Sequence, residues 1–211
     1  MNTPEDARKY APATQRNREP ILEVLLQVLP DTGTVLEVAS GSGEHAVYFA
    51  PRLRPRQWLP TEENPLLLAS IQAWAKKFPS DNLHPPLELD ASLSTWTLEH
   101  NQTLASPITA IVNINMIHIS PWSTCLGLMA GAGRILSPGG ILYLYGPFKQ
   151  NGEHTAPSNA DFDQYLKGQN PAWGVRNLQD VIAAASSQHL NLKATYQMPA
   201  NNLSVVFELV K

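Results

Sequence analysis

The sequence predicts an α/β fold with a doubly wound, mostly parallel sheet of seven strands and an antiparallel C-terminal strand. Three observations support this prediction. Short apolar segments alternate with segments of helical period along the 211 residues, which favours parallel strands connected by helices. The segment Ile108–Ile114 is apolar and β-branched over most of its length, as is typical of a central parallel strand. Near the end of the chain, Pro-Ala-Asn-Asn joins two apolar segments at the spacing of an antiparallel hairpin.

The composition indicates a folded protein and excludes several partners. Hydrophobic residues make up 43% and charged residues 16%, which is too apolar for a disordered chain. Lys and Arg number 15 against 18 Asp and Glu, so no excess of positive charge recruits a nucleic acid. The N-terminus lacks the apolar segment of a signal sequence, and no run approaches the roughly 20 apolar residues of a membrane span. With a single cysteine, these features predict a cytoplasmic protein that binds neither nucleic acid nor membrane.

The first half of the chain predicts an arm followed by alternating helices and strands. Residues 1–16 are polar and without period, which predicts a flexible arm. Apolar residues at helical spacing predict a helix over residues 18–29, and Pro30 ends it. A glycine turn at Gly41 leads into the next helix, and Asn64-Pro65 gives a third helix its N-cap and first-turn proline. The predicted strands are residues 35–39, 57–61 and 87–90.

The second half continues the alternation, and we expect residues 1–211 to form a single domain. Ser120-Pro121 begins a helix that runs to about residue 136, although its glycines weaken it. Residues 147–174 are polar and have little apolar period, which predicts a long lid loop over the site. A further helix is predicted over residues 178–188. The predicted strands are residues 108–114, 141–145, 192–198 and 203–210.

The turn after the first strand carries the main functional signal. Gly41-Ser-Gly-Glu-His-Ala46 satisfies the G-x-G-x-x-G/A pattern, and Glu62 lies about 20 residues further on, where an acid that binds a ribose belongs. NAD and other adenosine ligands share this pattern. Glu37, inside the strand before Gly41, would repel a pyrophosphate and attract an ammonium or a sulfonium group. Together with Asp90 after the third strand, this spacing favours S-adenosylmethionine, and an NAD(P)-dependent oxidoreductase is the alternative.

Two resemblances agree with this interpretation. Val35-Leu-Glu-Val-Ala-Ser-Gly-Ser-Gly43, Glu62, Asp90 and Leu136-Ser-Pro-Gly-Gly140 resemble successive motifs of the Rossmann-like class I methyltransferases, over residues 35–211. Across essentially the whole chain, the sequence also resembles a family labelled a domain of unknown function, which includes methyltransferase-like protein 26. The segments that carry this narrower resemblance are Gln15-Arg-Asn-Arg-Glu-Pro-Ile21, Asn115-Met-Ile-His-Ile-Ser-Pro-Trp122 and Asn170-Pro-Ala-Trp-Gly-Val-Arg176.

The resemblance to class I methyltransferases implies a Rossmann-like fold and S-adenosylmethionine as the cofactor, and we expect no metal site. One residue departs from the usual motif, because its first glycine is Ala39 here. We expect the alanine to be tolerated with a negative φ. The predicted cofactor-binding residues are Glu37, Ala39, Gly41, Gly43, Glu62, Asp90, Ala91 and Asn113.

The reacting end is predicted beyond the fourth strand, since ligands of open parallel sheets lie at the carboxyl ends of the strands. Methyl transfer is an in-line displacement in which positioning supplies much of the rate, and a base is needed only for a protonated acceptor. His118 is the candidate base because imidazole titrates near neutral pH, and a structural histidine bonded to backbone is the alternative. The predicted catalytic residues are His118, Asn115 and Tyr145.

The acceptor is predicted to be a small molecule, and the oligomeric state is left open. Asn113-Ile-Asn-Met116 differs from the Asn/Asp-Pro-Pro-aromatic signature of methylases that act on base amines and glutamine amides. Arg176, and Arg16 or Arg18, are candidates for holding a carboxylate or phosphate of the acceptor. A catalytically silent protein that binds S-adenosylmethionine and acts through partners is a further alternative.

Overall fold

The computed structural model describes residues 6–99 and 106–210. Residues 1–5 of the predicted arm therefore lie outside the described residues. None of the described helices is long and apolar enough to cross a membrane. The described helices and strands, in chain order, are α1 (Pro12–Val28), β1 (Thr34–Val38), α2 (Glu44–Phe49), β2 (Gln57–Glu62), α3 (Pro65–Lys77), β3 (Leu87–Glu88), β4 (Ile108–Ile114), α4 (Trp122–Ile135), β5 (Ile141–Gln150), β6 (Glu153–His154), α5 (Pro157–Gln169), β7 (Arg176–Asn177), α6 (Leu178–Ser186), β8 (Leu190–Met198) and β9 (Asn202–Leu209).

The main path of the sheet has the strand order β3-β2-β1-β4-β5-β9-β8. Strands β1 to β5 run parallel, and β9 pairs antiparallel with both β5 and β8. This confirms the predicted doubly wound, mostly parallel sheet of seven strands with an antiparallel C-terminal strand. Strand β8 is at the edge of the sheet, because β9 lies between β5 and β8. Strand β9 is accordingly buried continuously from Leu203 to Phe207, whereas β8 has many exposed residues. The short strands β6 and β7 pair with the far end of β5.

Helices cover both faces of the sheet, and each strand contributes to two cores. Successive side chains of a strand point to opposite faces. Leu36 and Ile111 therefore pack in one core with Leu128 of α4, and Val35 packs in the other with Ile21 of α1. Burial of each such side chain contributes roughly 1.5–3 kcal/mol. The connections at the carboxyl ends of the strands are consequently held between two packed layers.

The arm predicted over residues 1–16 is wrong for residues 12–16, which form the start of α1. The segment before α1 is also held in place. The backbone N–H of Lys9 donates to Ser70 Oγ at 2.7 Å, and its carbonyl accepts from Trp74 Nε1 at 2.9 Å. Both partners belong to α3, so these contacts join residues far apart in the sequence. A local hydrophobic period does not report such contacts, which is why the prediction failed here.

The segment predicted as a lid loop, residues 147–174, contains regular structure. Strand β5 continues to Gln150, and β6 and α5 follow it. Asp163 fixes α5 to the segment after it, since its carboxylate accepts from Lys167 Nζ at 2.6 Å and from the N–H of Val175 at 2.8 Å. The inward face of α5 is too polar to give a hydrophobic period, which is why the helix was missed. Its buried residues are Asn159, Asp163 and Leu166.

Glycines in α4 allow close contact with the chain that precedes it. A Cβ atom on Gly127 would come 2.2 Å from the carbonyl oxygen of Ala91, and one on Gly131 would come 2.1 Å from the Trp96 ring. The expected weakening of the helix is thus offset by packing, because only glycine leaves room for these neighbours. Gly127 in particular lets α4 support the connection after β3.

We expect Gly131→Ala to destabilise the protein by about 1–3 kcal/mol, because the new methyl group overlaps the Trp96 ring. The measurement is the free energy of unfolding in urea. Gly168→Ala in α5 is the matched control, since nothing lies within 4 Å of a Cβ atom there. That variant gains about 0.5–1 kcal/mol from helix propensity. Equal effects of the two substitutions would contradict the contact between α4 and Trp96.

Candidate functional site

A cavity of about 570 Å³ opens at the carboxyl ends of the parallel strands. Because β2 and β4 lie on either side of β1, the cavity is at the switch point of the sheet. Its volume is within the range of about 300–1,000 Å³ that is usual for small-molecule sites. Helix α1 closes its other side. The predicted site residues that line it are Glu37, Ala39, Gly41, Glu62, Asp90, Ala91 and Asn115.

Glu37 is a buried acid beside the cavity. Its side chain is 2% exposed and accepts a hydrogen bond from Trp58 Nε1 at 3.0 Å. Burial raises the pKa of Glu37 to about 7, although the hydrogen bonds from Trp58 and Ser40 oppose this shift. No Lys or Arg among the described residues lines the cavity to compensate its charge. A cation bound in the cavity would therefore stabilise the ionised form.

Glu62 is positioned by three backbone groups. Its Oε2 accepts from the N–H of Gly41 at 2.9 Å, and its Oε1 accepts from the N–H groups of Glu63 at 3.0 Å and Asn64 at 3.2 Å. A carboxylate has about four lone-pair sites, so it retains acceptor capacity for a ligand hydroxyl. The side chain is 5% exposed and borders the cavity. Glu62 is thus a fixed acceptor at the end of β2.

The glycine turn is shaped by positive φ angles at three positions. Gly41 has φ 56° and lines the cavity, whereas Gly43 has φ 90° and does not. A Cβ atom on Gly43 would come 2.7 Å from Ile71 Cα, so this glycine lets the turn pack on α3. Ala39 has φ 58°, and the expectation of a negative φ is wrong. The turn imposes the left-handed conformation there, which costs an alanine about 1–2 kcal/mol.

Asp90 and Ala91 form the wall that follows β3. Oδ1 of Asp90 accepts from the N–H of Ser92 at 2.8 Å and from its hydroxyl at 2.7 Å. These bonds orient the half-buried carboxylate, and its second oxygen makes no hydrogen bond within the described part of the chain. Ala91 is 6% exposed and rests against α4 through Gly127. The wall therefore offers a free acceptor beside an apolar surface.

The two asparagines at the end of β4 have different positions. Asn113 is 1% exposed and does not line the cavity, because its Nδ2 donates to the carbonyl of Val38 at 2.9 Å and joins β4 to β1. Asn115 has φ 65°, and its backbone N–H donates to the carbonyl of Tyr145 at 2.8 Å. Its side chain borders the cavity. The role predicted for Asn115 stays a prediction, whereas Asn113, predicted to bind the cofactor, has a structural contact instead.

His118 does not reach the cavity, which corrects its prediction as a base that touches the acceptor. It ends the short 3-10 helix Met116–His118 and is fully buried. Its Nδ1 accepts from the backbone N–H of Arg176 at 3.3 Å, and its ring lies edge-on to Phe148 at 5.0 Å. Burial and the nearby Arg176 guanidinium lower the pKa of His118 to about 3. The geometry supports the alternative, a structural histidine bonded to backbone.

Tyr145 also lies outside the cavity lining. The side chain is 4% exposed and packs in the core on the side of α1 and α2. Burial raises the pKa of Tyr145, and the neighbouring side chains of Asn17 and Asn202 oppose this shift. This position corrects the prediction of Tyr145 as a catalytic residue at the cavity.

Among the cavity residues that the sequence missed are Thr14 and Asn17, because the predicted helix began after them. Their signal was available, since both lie at helical spacing before the buried Ile21. His45 of α2 also lines the cavity, and its Nε2 is 2.9 Å from Asn17 Oδ1. Burial and the nearby Arg18 lower the pKa of His45 to about 3. This part of the lining is polar and uncharged.

The charge of the lining is strongly one-sided. Among the described residues, four carboxylic acids line the cavity, and no Lys or Arg does. Arg176 is not available for an acceptor anion as expected, because its guanidinium donates to the carbonyls of Ile117 at 2.9 Å and Ser120 at 2.6 Å. Arg18 instead lies over the Tyr48 ring, 4.5 Å from its centroid. The four acids are Glu37, Glu62, Glu63 and Asp90.

Residues 8–209 match the family model described as "Protein of unknown function (DUF938)". This match confirms the resemblance to a domain of unknown function that the sequence shows, and it spans almost the whole chain.

Solved structures with this fold include several methyltransferases. An O-methyltransferase family protein from Burkholderia thailandensis has a TM-score of 0.76 at 12% identity, over 94% of this chain and 58% of that one. An O-methyltransferase family 2 protein from Planctomyces limnophilus, in complex with apigenin, has a TM-score of 0.75 at 18% identity, over 94% and 58%. The S-adenosylmethionine-dependent methyltransferase SibL has a TM-score of 0.72 at 15% identity, over 94% and 56%. This chain thus spans a little over half the length of these relatives, and the likeness shows their fold.

We expect Glu37→Gln to remove a pH dependence of stability. Because the folded pKa of Glu37, about 7, lies above its ordinary value of 4.5, the folded protein holds a proton that the unfolded chain releases. The free energy of unfolding therefore falls by on the order of 3 kcal/mol as pH rises from 4.5 to 7. The glutamine keeps an acceptor for Trp58 and does not titrate. Urea unfolding at pH 5 and pH 8 tests this, and parallel curves for the two proteins would contradict it.

His118→Ala is expected to lower the free energy of unfolding by about 2–4 kcal/mol, because it leaves a void beside Phe148. The matched control is His84→Ala, whose half-buried imidazole bonds Gln57 Oε1 at 3.0 Å. That change removes one hydrogen bond, worth about 0.5–1.5 kcal/mol. If the His118→Ala variant were as stable in urea as the His84→Ala variant, the imidazole of His118 would not be packed in the core.

Proposed function

The chain belongs to the DUF938 family, whose description assigns no function, and we propose that it is an S-adenosylmethionine-dependent methyltransferase acting on a small molecule. The observation that supports this most is the charge of the cavity lining. Four carboxylic acids and no Lys or Arg of the described chain line a site at the switch point of the sheet. A dinucleotide would bring a pyrophosphate into this field, whereas S-adenosylmethionine brings an ammonium and a sulfonium.

The fixed acceptors of the site fit the parts of this cofactor. Glu62, at the end of β2, is suited to a ribose diol because three N–H groups orient its carboxylate. Asp90 offers an acceptor for the adenine amine, and Ala91 beside it offers an apolar surface. Glu37 would hold the ammonium, whose charge compensates the buried carboxylate. This assignment uses the ends of three successive parallel strands.

The chain's contribution to methyl transfer is positioning. When bound, S-adenosylmethionine supplies an electrophilic methyl group, which passes to a lone pair of the acceptor as the carbon–sulfur bond breaks and its electron pair stays on sulfur. Asn115 borders the reacting end of the cavity, and α1 encloses it through Thr14 and Asn17. Enclosure and alignment of two reactants can supply about 7–11 kcal/mol of the barrier.

Two observations support a small-molecule acceptor. The cavity is enclosed by α1 and by Trp173, so its volume is of the size that small ligands occupy. One protein with the same fold is an O-methyltransferase in complex with apigenin. A catalytically silent cofactor-binding protein is the second candidate, and the observation in its favour is that neither His118 nor Tyr145 lines the cavity. Transfer of labelled methyl groups to a pool of metabolites separates the two candidates.

We expect Glu62→Gln to weaken binding of S-adenosylhomocysteine, the demethylated product, by roughly 10- to 100-fold, because an acceptor bond to a carboxylate is worth about 1.5–3 kcal/mol. Titration calorimetry measures this affinity, and the melting temperature checks the fold of the variant. Glu88→Gln is the control, since it removes the same charge from an exposed residue that does not line the cavity.

Two results of these titrations would overturn the proposal. The first is binding of NADH without any response to S-adenosylmethionine or S-adenosylhomocysteine, which would favour an oxidoreductase. The second is equal weakening by Glu62→Gln and Glu88→Gln, which would mean that only overall charge matters.

A further inference from the structure

The wall of the cavity formed by α1 contains a hydroxyl that makes no hydrogen bond to the described chain. Thr14 is 4% exposed and borders the cavity. Its backbone N–H donates to the carbonyl of Ala11 at 2.9 Å, but its hydroxyl makes no hydrogen bond within residues 6–99 and 106–210. A hydroxyl that borders a cavity can donate one hydrogen bond and accept others. The Thr14 hydroxyl is thus a group that a ligand in the cavity would satisfy.

Asn17, one helical turn further along α1, is held rigidly next to Thr14. Its Oδ1 lies 2.9 Å from His45 Nε2, and its amide neighbours the phenol of Tyr145. The imidazole of His45 is itself stacked on Phe49, with ring centroids 5.2 Å apart and planes 7° apart. Each of these side chains is therefore fixed by another one.

Asn115 provides a second free polar group in the cavity lining. Its backbone is fixed in the left-handed conformation, with φ 65° and a bond to the carbonyl of Tyr145. Its side-chain amide, in contrast, has no hydrogen-bond partner among the residues that the structure describes. A side-chain amide and a hydroxyl can each both donate and accept hydrogen bonds. Thr14 and Asn115 are thus neutral groups that can bond to the hydrogen or to the oxygen of a hydroxyl group.

The electrostatic surroundings select against charged groups at this wall. An anion would face the cavity carboxylates without any Lys or Arg of the described lining. A cation would be attracted to the carboxylates at the strand ends, and it would find no carboxylate among Thr14, Asn17, His45 and Asn115. Burying a charge without a partner is costly, whereas an uncharged polar group needs only hydrogen bonds.

We propose that Thr14, Asn17, His45 and Asn115 form the acceptor subsite and that it takes an uncharged hydroxyl compound. This inference rests on the proposed methyl transfer and adds the acceptor class. The hydroxyl oxygen forms the bond to the methyl carbon, the carbon–sulfur bond breaks with its electron pair on sulfur, and the hydroxyl proton passes to water. Trp173, Ile114 and Met116 give the same cavity apolar and aromatic surface, which fits a hydroxyl carried on a ring system.

The test uses three probes of one shape and different charge. Benzyl alcohol, benzylamine and benzoate are titrated at pH 7 into the isotopically labelled full chain saturated with S-adenosylhomocysteine. The readout is the NMR signals of the Asn17 and Asn115 side-chain amides. We expect benzyl alcohol to shift both signals in a saturable way, and the two charged probes to bind at least about tenfold more weakly.

Thr14→Val tests the hydroxyl itself, because valine keeps the shape and removes the polar group. We expect it to weaken benzyl alcohol about two- to tenfold, the effect of losing one hydrogen bond, with the affinity for S-adenosylhomocysteine unchanged. Thr195→Val on the exposed face of β8 is the matched control and leaves both affinities unchanged.

Three results would overturn the inference. The first is binding of benzoate or benzylamine that is as tight as that of benzyl alcohol or tighter. The second is that benzyl alcohol shifts neither amide signal. The third is that the Thr14→Val variant binds benzyl alcohol as tightly as the parent protein does. In each of these cases the proposed function still stands if the protein binds S-adenosylhomocysteine. Failure of S-adenosylhomocysteine to bind the parent protein is the separate outcome that overturns the proposed function together with this inference.

Discussion

The carboxylate of Glu62 connects the parts of the molecule on which the site depends. It accepts backbone N–H groups from Gly41 in the turn after β1 and from Glu63 and Asn64 at the start of α3. One side chain thus orients peptide groups of two separate connections, through charge-assisted bonds that are stronger than neutral ones. The bond from Gly41 fixes the glycine turn relative to β2. Within this turn Ala39 has the left-handed conformation, and Gly43 packs on α3.

Helix α1 makes the cavity a preformed site. The N–H of Ala11 donates to Glu44 Oε2 at 2.5 Å, and Ile21 and Leu25 of the same helix are fully buried. Displacing the helix would expose both side chains, at a cost of roughly 1.5–3 kcal/mol each. The residues that face a ligand and the residues that fill the core are therefore on one rigid element. Thr14 and Asn17 are thus held by the packing of α1 on the core.

The sequence predicted the doubly wound, mostly parallel sheet and three of the acids that line the cavity, because residues that follow parallel strands meet at one edge of the sheet. Glu37, Glu62 and Asp90 were found for this reason. The predicted catalytic residues were placed less accurately, since His118 and Tyr145 do not line the cavity. Strand periodicity gives two faces without saying which one borders the cavity, and Tyr145 points into the core beside α1. The 3-10 turn after β4 directs His118 inward, and no periodic pattern describes that turn.

The burial of Glu37 beside the cavity without a compensating Lys or Arg in the described lining makes the site attractive to cations and also lowers the stability of the ionised form. Burial raises the pKa of Glu37 to about 7, so near neutral pH the free protein holds this side chain partly protonated. A bound cation favours the carboxylate, and binding at or below neutral pH is therefore coupled to release of a proton. A lysine beside Glu37 would remove the desolvation cost and would also remove the attraction for a cation. The attraction of Glu37 for a cation thus depends on the absence of Lys and Arg from the described cavity lining, and a ligand that bound as a cation would offset the cost of burying the carboxylate.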